Sequence, residues 1–267
     1  MTTWNFPCSD PATISISSWA SGSVAVSGEQ TDVLAVEVLP SDPRMSVEDV
    51  LGQVHVTFED GTLSVRGPRL TGLLQRRKAL DLTIKAPAWS GCSAQTAAAD
   101  VALVGRLGAV NVQTASGDIT AAAESGPATL HTASGDVFVE RAGDDVRITT
   151  ASGDVRVGRV GGELSVSAVS GDLSIADVSG QVGARTVSGD IAVRDLSGGQ
   201  ADLATTSGDV QVMVTPGIGV YLDLSSMSGS VRSDLDEQEA GTTSASLEIR
   251  CRSISGDIRV ARALAAA

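Results

Sequence analysis

Apolar and polar residues alternate with a period of two along most of the chain, which is the pattern of half-buried β-strands and not of helices. Val146, Ile148 and Thr150 mark one such strand, and Val155 and Val157 mark the next one, after a Ser-Gly-Asp triplet. A second turn, which carries glycine, follows before the pattern starts again. The alternation therefore predicts a repeating unit of strand, corner, strand and turn.

The Ser-Gly-Asp triplet occurs seven times, and the first five copies are each 18 residues apart. A variant, Ser228-Gly229-Ser230, lies between the last two copies, and Asp100 and Ser21-Gly22-Ser23 mark degenerate earlier ones. Parallel strands need a long crossover, which the opposite strand of each unit supplies, so that stacked units place each residue above its copy at about 4.8 Å. An antiparallel meander would give no reason for so strict a period. The sequence predicts an all-β, parallel β-solenoid of ~18-residue rungs, and the rule for parallel crossovers favours a right-handed turn.

The glycine and aspartate of each triplet are predicted to be structural corner residues. Glycine supplies a positive φ, and Asp and Ser side chains bond to nearby backbone amides in tight turns. Stacked carboxylates could instead hold calcium, as in β-rolls, but the opposite turn has no regularly matching aspartate, and no metal site is predicted. The predicted corner residues are Gly117, Asp118, Gly135, Asp136, Gly153, Asp154, Gly171, Asp172, Gly189, Asp190, Gly208, Asp209, Gly256 and Asp257.

The first 90 residues keep the strand alternation but lose the strict period. Asp60-Gly61 predicts a hairpin, and Asp42 and Pro43 are suited to begin a short helix over Arg44–Leu51. We interpret residues 1–90 as an irregular β-rich cap continuous with the solenoid, residues 91–262 as the repetitive solenoid and residues 263–267 as a tail. Candidate strands in the cap are Ile14–Ser17, Val24–Ser27, Val33–Leu39, Gln53–Phe58, Thr62–Arg66 and Leu80–Lys85.

Charge and composition narrow the possible functions. A net charge of −13 disfavours nucleic acid and anionic lipid surfaces. Aromatic residues make up only 3% of the chain, which disfavours a sugar-degrading β-helix enzyme. The three cysteines have neither disulfide-framework nor zinc spacing. No signal peptide or transmembrane segment is recognised, so that a cytoplasmic location without a membrane span is expected.

Three features outside the repeat are candidate sites. The segment from Pro68 to Lys78 concentrates positive charge and leucines in an acidic chain, and is a candidate protein interface or a loop packed on the cap. The acidic stretch Asp234 to Glu239 is a solvated loop or a cation site. His55 and His131 lie far apart, and no catalytic or nucleotide-binding motif occurs. The candidate partner-binding residues are Arg69, Leu70, Leu73, Leu74, Arg76, Arg77 and Lys78.

Rungs that read Thr-Ala-Ser-Gly-Asp-Val, as in Thr150–Val155, together with the run Val36–Pro43, resemble actinobacterial members of the putative-adhesin β-strand-repeat family, also called the toastrack domain. The resemblance extends from about Ile14 to Val260. It implies a β-helical fold, roles in stress or envelope-associated assemblies, and no agreed catalytic residues or cofactor. We therefore expect a non-catalytic scaffold with an unidentified protein partner. The alternatives are an adhesin or sensor that binds a ligand or calcium, and a carbohydrate-active enzyme.

Overall fold

The computed structural model describes residues 2–42, 54–68, 79–178, 180–235 and 247–263. These residues form 22 strands and no helix. The helix predicted over Arg44–Leu51 lies outside the described residues. The chain forms two compact units, Met1–Arg141 and Ala142–Ala267, whereas the division predicted at residue 90 remains a prediction.

In the first unit, one long strand from early in the sequence stacks as a rung between strands that come later. Strand β2 (Thr13–Glu29) pairs in parallel with β7 (Ser90–Thr114) on one side, and with β5 (Thr62–Arg66) and then β6 (Leu80–Pro87) on the other. Gly22 lies opposite Ala99, and Ser23 lies opposite Asp100, so the degenerate Ser21-Gly22-Ser23 copy stacks as a corner. The strands of this unit are β1 (Thr2–Pro7), β2 (Thr13–Glu29), β3 (Val33–Pro40), β4 (His55–Glu59), β5 (Thr62–Arg66), β6 (Leu80–Pro87), β7 (Ser90–Thr114), β8 (Ile119–Ser125) and β9 (Ala128–Ser134), followed by β10 (Val137–Ala142) at the boundary.

Strands β8 and β9 continue the parallel stack on β7, whereas β1, β3 and β4 form antiparallel pairs. Strand β3 pairs with both β6 and β1. Strands β4 and β5 form the predicted hairpin, with Asp60 (φ 48°) and Gly61 (φ 73°) in the left-handed region. Thr62–Arg66 was predicted with its observed bounds, while β1 was not predicted. The Phe6 and Phe58 rings lie 5.3 Å apart between centroids, which joins β1 to this hairpin.

The second unit stacks two columns of parallel strands, one on each side of the Ser-Gly-Asp corner. Equivalent residues 18 positions apart lie side by side on adjacent strands, as Val155 does with Leu173 and Leu173 with Ile191. The predicted parallel β-solenoid is confirmed. The strands are β11 (Val146–Ser152), β12 (Val155–Val160), β13 (Leu164–Ser170), β14 (Leu173–Val178), β15 (Val182–Ser188), β16 (Ile191–Leu196), β17 (Gly199–Ser207), β18 (Val210–Val214), β19 (Val220–Ser228), β20 (Val231–Ser233), β21 (Leu247–Ser255) and β22 (Ile258–Arg262).

The order of the last rungs in space differs from their order in sequence. Strand β21 pairs with β17 on one edge and with β19 on the other, and β22 likewise lies between β18 and β20. The rung that comes last in the sequence is therefore inserted between two earlier ones.

The core consists of in-register rows of small and branched apolar side chains. Val, Ile, Leu and Ala fill almost every inward position, and they are nearly inaccessible to solvent. Burial of each Val, Ile or Leu side chain contributes roughly 1.5–3 kcal/mol. Trp19 is the largest fully buried side chain, and its indole Nε1 donates a hydrogen bond to the Leu80 carbonyl (3.1 Å).

Candidate functional site

The corner aspartates link successive rungs through their carboxylates. In the second unit the backbone N–H of Asp172 donates to Oδ1 of Asp154 (3.1 Å), and that of Asp190 donates to Oδ1 of Asp172 (2.9 Å). The same bond joins Asp209 to Asp190 (2.7 Å) and Asp257 to Asp209 (2.8 Å). In the first unit, equivalent bonds join Asp118 to Asp100 and Asp136 to Asp118 (3.0 and 2.9 Å). Each carboxylate thus satisfies an amide that the turn leaves outside the strand pairing.

Both the backbone conformation and the close stacking of the rungs require glycine at the corner. Gly153 and Gly171 have φ angles of 129° and 125°, which side-chain-bearing residues rarely adopt. A Cβ built on Gly171 would also lie only 2.2 Å from the Gly153 carbonyl oxygen. A Cβ built on Gly208 would likewise lie 2.1 Å from the Gly189 carbonyl oxygen. The rungs can therefore stack closely only where this position lacks a side chain.

In each unit, buried or half-buried hydroxyl groups lie at inward positions under the corner. Thr150 Oγ1 donates to the Ser152 carbonyl (3.0 Å), and Ser226 Oγ donates to the Gly256 carbonyl (2.8 Å). In the first unit the Gly117 N–H donates to Thr114 Oγ1 (3.0 Å). One rung later, the buried Thr132 Oγ1 has no hydrogen-bond partner among the described residues. These hydroxyls occupy inward positions where the neighbouring rows are apolar.

The surroundings of Asp257, Cys92 and Cys251 shift the pKa values of these side chains. The Ser230 backbone N–H and hydroxyl donate to Asp257 and, with Arg232 nearby, hold the pKa of that carboxyl below its usual range. Its contribution to stability is present at neutral pH and is lost as the pH falls through the lowered pKa. Burial raises the pKa of Cys92 to about 12, and burial together with the Asp202 and Asp223 carboxylates raises that of Cys251 to about 12. Both thiols are therefore protonated, and poor nucleophiles, at neutral pH.

An exposed apolar row runs along the corner of the second unit. It occupies the outward position immediately before the corner serine, and paired flanking residues place its members in register. Val169, Val187 and Ile254 are 53%, 48% and 50% exposed, and Met227 is 83% exposed. We call this row the corner stripe; from one rung to the next it consists of Val169, Val187, Thr206, Ile254 and Met227.

The two flanks of the corner stripe carry opposite charge. On the strand side lie Arg185 and Arg252, whose side chains are 69% and 66% exposed and lie 3.5 and 4.0 Å from Asp202 and Asp223. Exposed ion pairs at such distances contribute little to stability. On the corner side lies the column of aspartates. The arrangement is an apolar strip between a cationic and an anionic margin.

The candidate sites predicted outside the repeat are only partly described. The basic segment, with Arg69, Leu70, Leu73, Leu74, Arg76, Arg77 and Lys78, lies outside the described residues, as do residues 236–239 of the acidic stretch. Asp234 of that stretch pairs with Arg259 (2.7 Å). Among the described residues, no group of three or more His, Cys, Asp or Glu side chains could hold a metal ion.

The corner stripe was not predicted from the sequence. A signal for it exists, because the residue before each corner serine is outward in the alternation and yet is Val, Val, Ile and Met in four rungs. Alternation assigns such a position to the solvent side, where a single apolar residue is ordinary but a row of neighbouring large ones calls for an explanation. The row becomes continuous only because the last rung is inserted before the Met227 rung.

A family model described as Toastrack DUF4097 matches residues 104–261. Among solved structures, a putative adhesin from Bacteroides fragilis has a TM-score of 0.51 at 13% identity, over 97% of this chain and 96% of that one. A putative lipid binding protein from Parabacteroides distasonis has a TM-score of 0.42 at 13% identity, over 97% and 96% of the two chains. A putative cell adhesion protein from Clostridium sporogenes has a TM-score of 0.25 at 13% identity, over 98% and 99%.

At such identities the likeness to the Bacteroides fragilis protein concerns the fold alone, and the two lower scores support no further argument. No curated protein matches the chain. Within the described part of the chain, no helix is long and apolar enough to cross a membrane.

Proposed function

Because this chain belongs to the Toastrack DUF4097 family, a family of β-solenoid domains, we propose that it is a non-catalytic scaffold that binds a protein partner along the corner stripe of its second unit. The observation that carries the proposal is the register of exposed Val169, Val187 and Ile254 beside two oppositely charged margins. Exposed contiguous apolar surface rimmed by charge is typical of interaction sites.

The fold itself does not require an apolar residue in the stripe. Thr206 occupies the same position between Val187 and Ile254, and its rung keeps the full parallel pairing. Ala115 and Ala133 occupy the equivalent positions in the first unit. The large side chains in the second unit therefore call for an explanation other than stacking, and burial against a partner supplies one.

The geometry of the stripe suits an amphipathic helix of the partner. Stripe residues succeed one another at about 4.8 Å along the stack, and residues one turn apart on a helix succeed one another at about 5.4 Å. A helix lying along the stack could therefore place one apolar side chain against each rung over several rungs. Basic residues on one side of that helix would face the aspartate column, and acidic residues on the other side would face Arg185 and Arg252.

The corner aspartates support a non-catalytic role. The Oδ1 atoms of Asp172, Asp190 and Asp209 each accept a backbone N–H from the next rung, so the carboxylates act as part of the stack. The proposal also includes a role in stress or envelope-associated assemblies and an actinobacterial affinity, which rest on the family resemblance of the repeat. It includes a cytoplasmic location, which rests on the sequence.

The test is partner capture followed by affinity measurement. A partner captured from the source organism would be purified, and its Kd would be compared for the wild type and for a variant carrying Val169→Thr, Val187→Thr and Ile254→Thr. Threonine keeps the β-branched shape and already occupies this position at residue 206. We expect binding to weaken at least tenfold, because the apolar anchors supply most of the interface energy.

The matched control is Met213→Thr, which alters a side chain of comparable exposure (42%) on β18 of the same unit. It should leave the Kd unchanged. An Asp190→Asn, Asp209→Asn variant keeps both Oδ1 acceptors but removes charge, and should reduce the salt dependence of association. Equal affinity of the triple-threonine variant and the wild type would show that the partner binds elsewhere.

A further inference from the structure

The outer face of β13, β15 and β17 contains a notch whose floor is Gly183. Ser165, Gly183 and Asp202 are aligned across the three parallel strands. On each of these strands, the outward positions two residues before and two residues after the aligned residue complete a three-by-three grid of outward positions. Gly183 lies at the centre of this grid and has no side chain. The resulting cavity has a volume of about 250 Å³. We call it the Gly183 notch.

The fold does not require glycine at position 183. A Cβ built there would have a single neighbour, the Leu164 carbonyl oxygen at 4.0 Å, and Gly183 is not among the glycines with a left-handed φ. Glycine within a strand nevertheless costs roughly 0.5–1 kcal/mol relative to alanine, and it often marks a place where a ligand approaches the backbone. At Gly171, by contrast, the stacked carbonyl excludes any side chain.

The rim of the notch has unused hydrogen-bonding capacity. Gln181 and Gln200 border it on one side, and the Ser165 and Ser167 hydroxyls border it on the neighbouring strand. None of these four side chains makes a hydrogen bond to another of the described residues. Arg185 lies on the opposite rim, 3.5 Å from Asp202 in an exposed ion pair. Donors and acceptors therefore converge on a space of small volume.

We propose that the Gly183 notch binds one pyranose unit of a neutral saccharide. Vicinal hydroxyls both donate and accept, as do the two glutamine amides and the serine hydroxyls, while Arg185 adds a fork of donors. The carboxylates of Glu163 and Asp202 also border the notch and disfavour an anion such as phosphate. The volume lies below that of drug-sized sites, roughly 300–1,000 Å³, which suits a single ring.

The lining contains no aromatic side chain on which a ring could stack, so we expect millimolar affinity. The notch shares Arg185 with the strand-side margin of the corner stripe, but the saccharide proposal does not depend on the proposed protein partner. The carbohydrate would be bound and not cleaved.

The experiment is saturation-transfer difference NMR with glucose, galactose and N-acetylglucosamine as probes. The variant Gly183→Gln fills the notch at a position where the Cβ has room. The control Ala192→Gln places the same side chain at a half-buried outward position of β16. We expect saturation transfer to at least one sugar with the wild type and with the control. The transfer should fall at least tenfold with Gly183→Gln.

A second variant and a competition with phosphate complete the experiment. If Gly183→Gln fails to fold, Gln181→Ala combined with Gln200→Ala removes rim groups and should give the same loss. Inorganic phosphate in excess should not displace the sugar. Absence of transfer to all three sugars, transfer that survives both variants, or displacement by phosphate would overturn the proposal.

Discussion

At the scale of single residues, the corner tolerates substitution of its aspartate better than substitution of its glycine. Gly171 is constrained by its φ of 125° and by the Gly153 carbonyl, which lies 2.2 Å from where a Cβ would stand. Asp172 contributes chiefly an oxygen that accepts the Asp190 N–H. An asparagine retains that oxygen, whereas no residue with a Cβ satisfies the glycine position without displacing the stacked backbone.

We therefore expect Gly171→Val to destabilise the protein far more than Asp172→Asn. Strain at a left-handed position alone costs about 1–3 kcal/mol, and the contact with the neighbouring rung adds to it. Urea unfolding of the two variants and the wild type would measure the difference. Equal midpoints for the two variants would mean that the corner is held by charge and not by close stacking.

The buried threonines under the corner offer a matched pair in consecutive rungs of the first unit. Thr114 accepts the Gly117 N–H, whereas the buried Thr132 hydroxyl has no partner among the described residues. Removing a buried hydroxyl that lacks a partner relieves a desolvation cost, but removing the partner of a buried amide creates one. Valine preserves the β-branched shape in both cases.

We predict that Thr132→Val raises the free energy of unfolding by about 1 kcal/mol, while Thr114→Val lowers it by about 1–2 kcal/mol. Thermal or urea unfolding of both variants would measure the signs. The same sign for the two substitutions would contradict this account of the buried hydroxyls.

At the scale of elements, the alternation of apolar and polar residues predicts most strands well. β5 has its predicted bounds at Thr62–Arg66, and β15 begins and ends where the alternation around Val182 does. Period-two burial and turn residues are local properties, and a single sequence contains them. β1 was missed because the alternation around Trp4 and Phe6 covers only a few residues, and its pairing with β3 is a contact between distant parts of the sequence.

The candidate site was less predictable for a related reason. The corner residues follow from the repeat, but the corner stripe depends on which rungs are neighbours in space. Ile254 precedes Met227 along the stack although it follows in the sequence. The Gly183 notch likewise depends on which residues lie beside Gly183 on the neighbouring strands. The sequence shows that Gly183 lies outside the Ser-Gly-Asp triplets, but it does not show that the space above it is open.

The corner as an element also predicts how the protein responds to calcium. The Oδ1 atoms that a cation would need already accept backbone N–H groups from the next rung, as in Asp190 and Asp209. We expect millimolar calcium to leave the melting temperature unchanged. Binding at about 100 times a true Kd would add roughly 2.7 kcal/mol. A rise in melting temperature that a chelator reverses would favour the calcium-dependent alternative.

At the scale of the whole molecule, each unit places a strand from near one end of the sequence inside its stack. In the first unit β2 lies between β7 and the pair β5 and β6. In the second unit β21 lies between β17 and β19. Stacking energy in a solenoid comes from nearest neighbours, so each inserted rung contributes two interfaces where a terminal rung would contribute one.

This order in space predicts an unusual order of hydrogen-exchange protection in the second unit. The inward side chains of β21 are buried, as at Ile249 and Cys251, whereas those of β19, such as Leu222 and Leu224, are only half-buried. Within the described residues, β21 is bonded along both edges and β19 along one. Local opening is easiest where buried contacts and paired edges are fewest.

We therefore expect backbone amides of Leu247–Ser255 to exchange at least tenfold more slowly than those of Val220–Ser228, although the former come later in the sequence. Hydrogen-exchange mass spectrometry with peptides covering each strand would measure both rates. Amides of β17 serve as the internal control, because β17 also pairs on both edges and should match β21. Protection that falls from β17 through β19 to β21, in sequence order, would show that the last rung is not inserted.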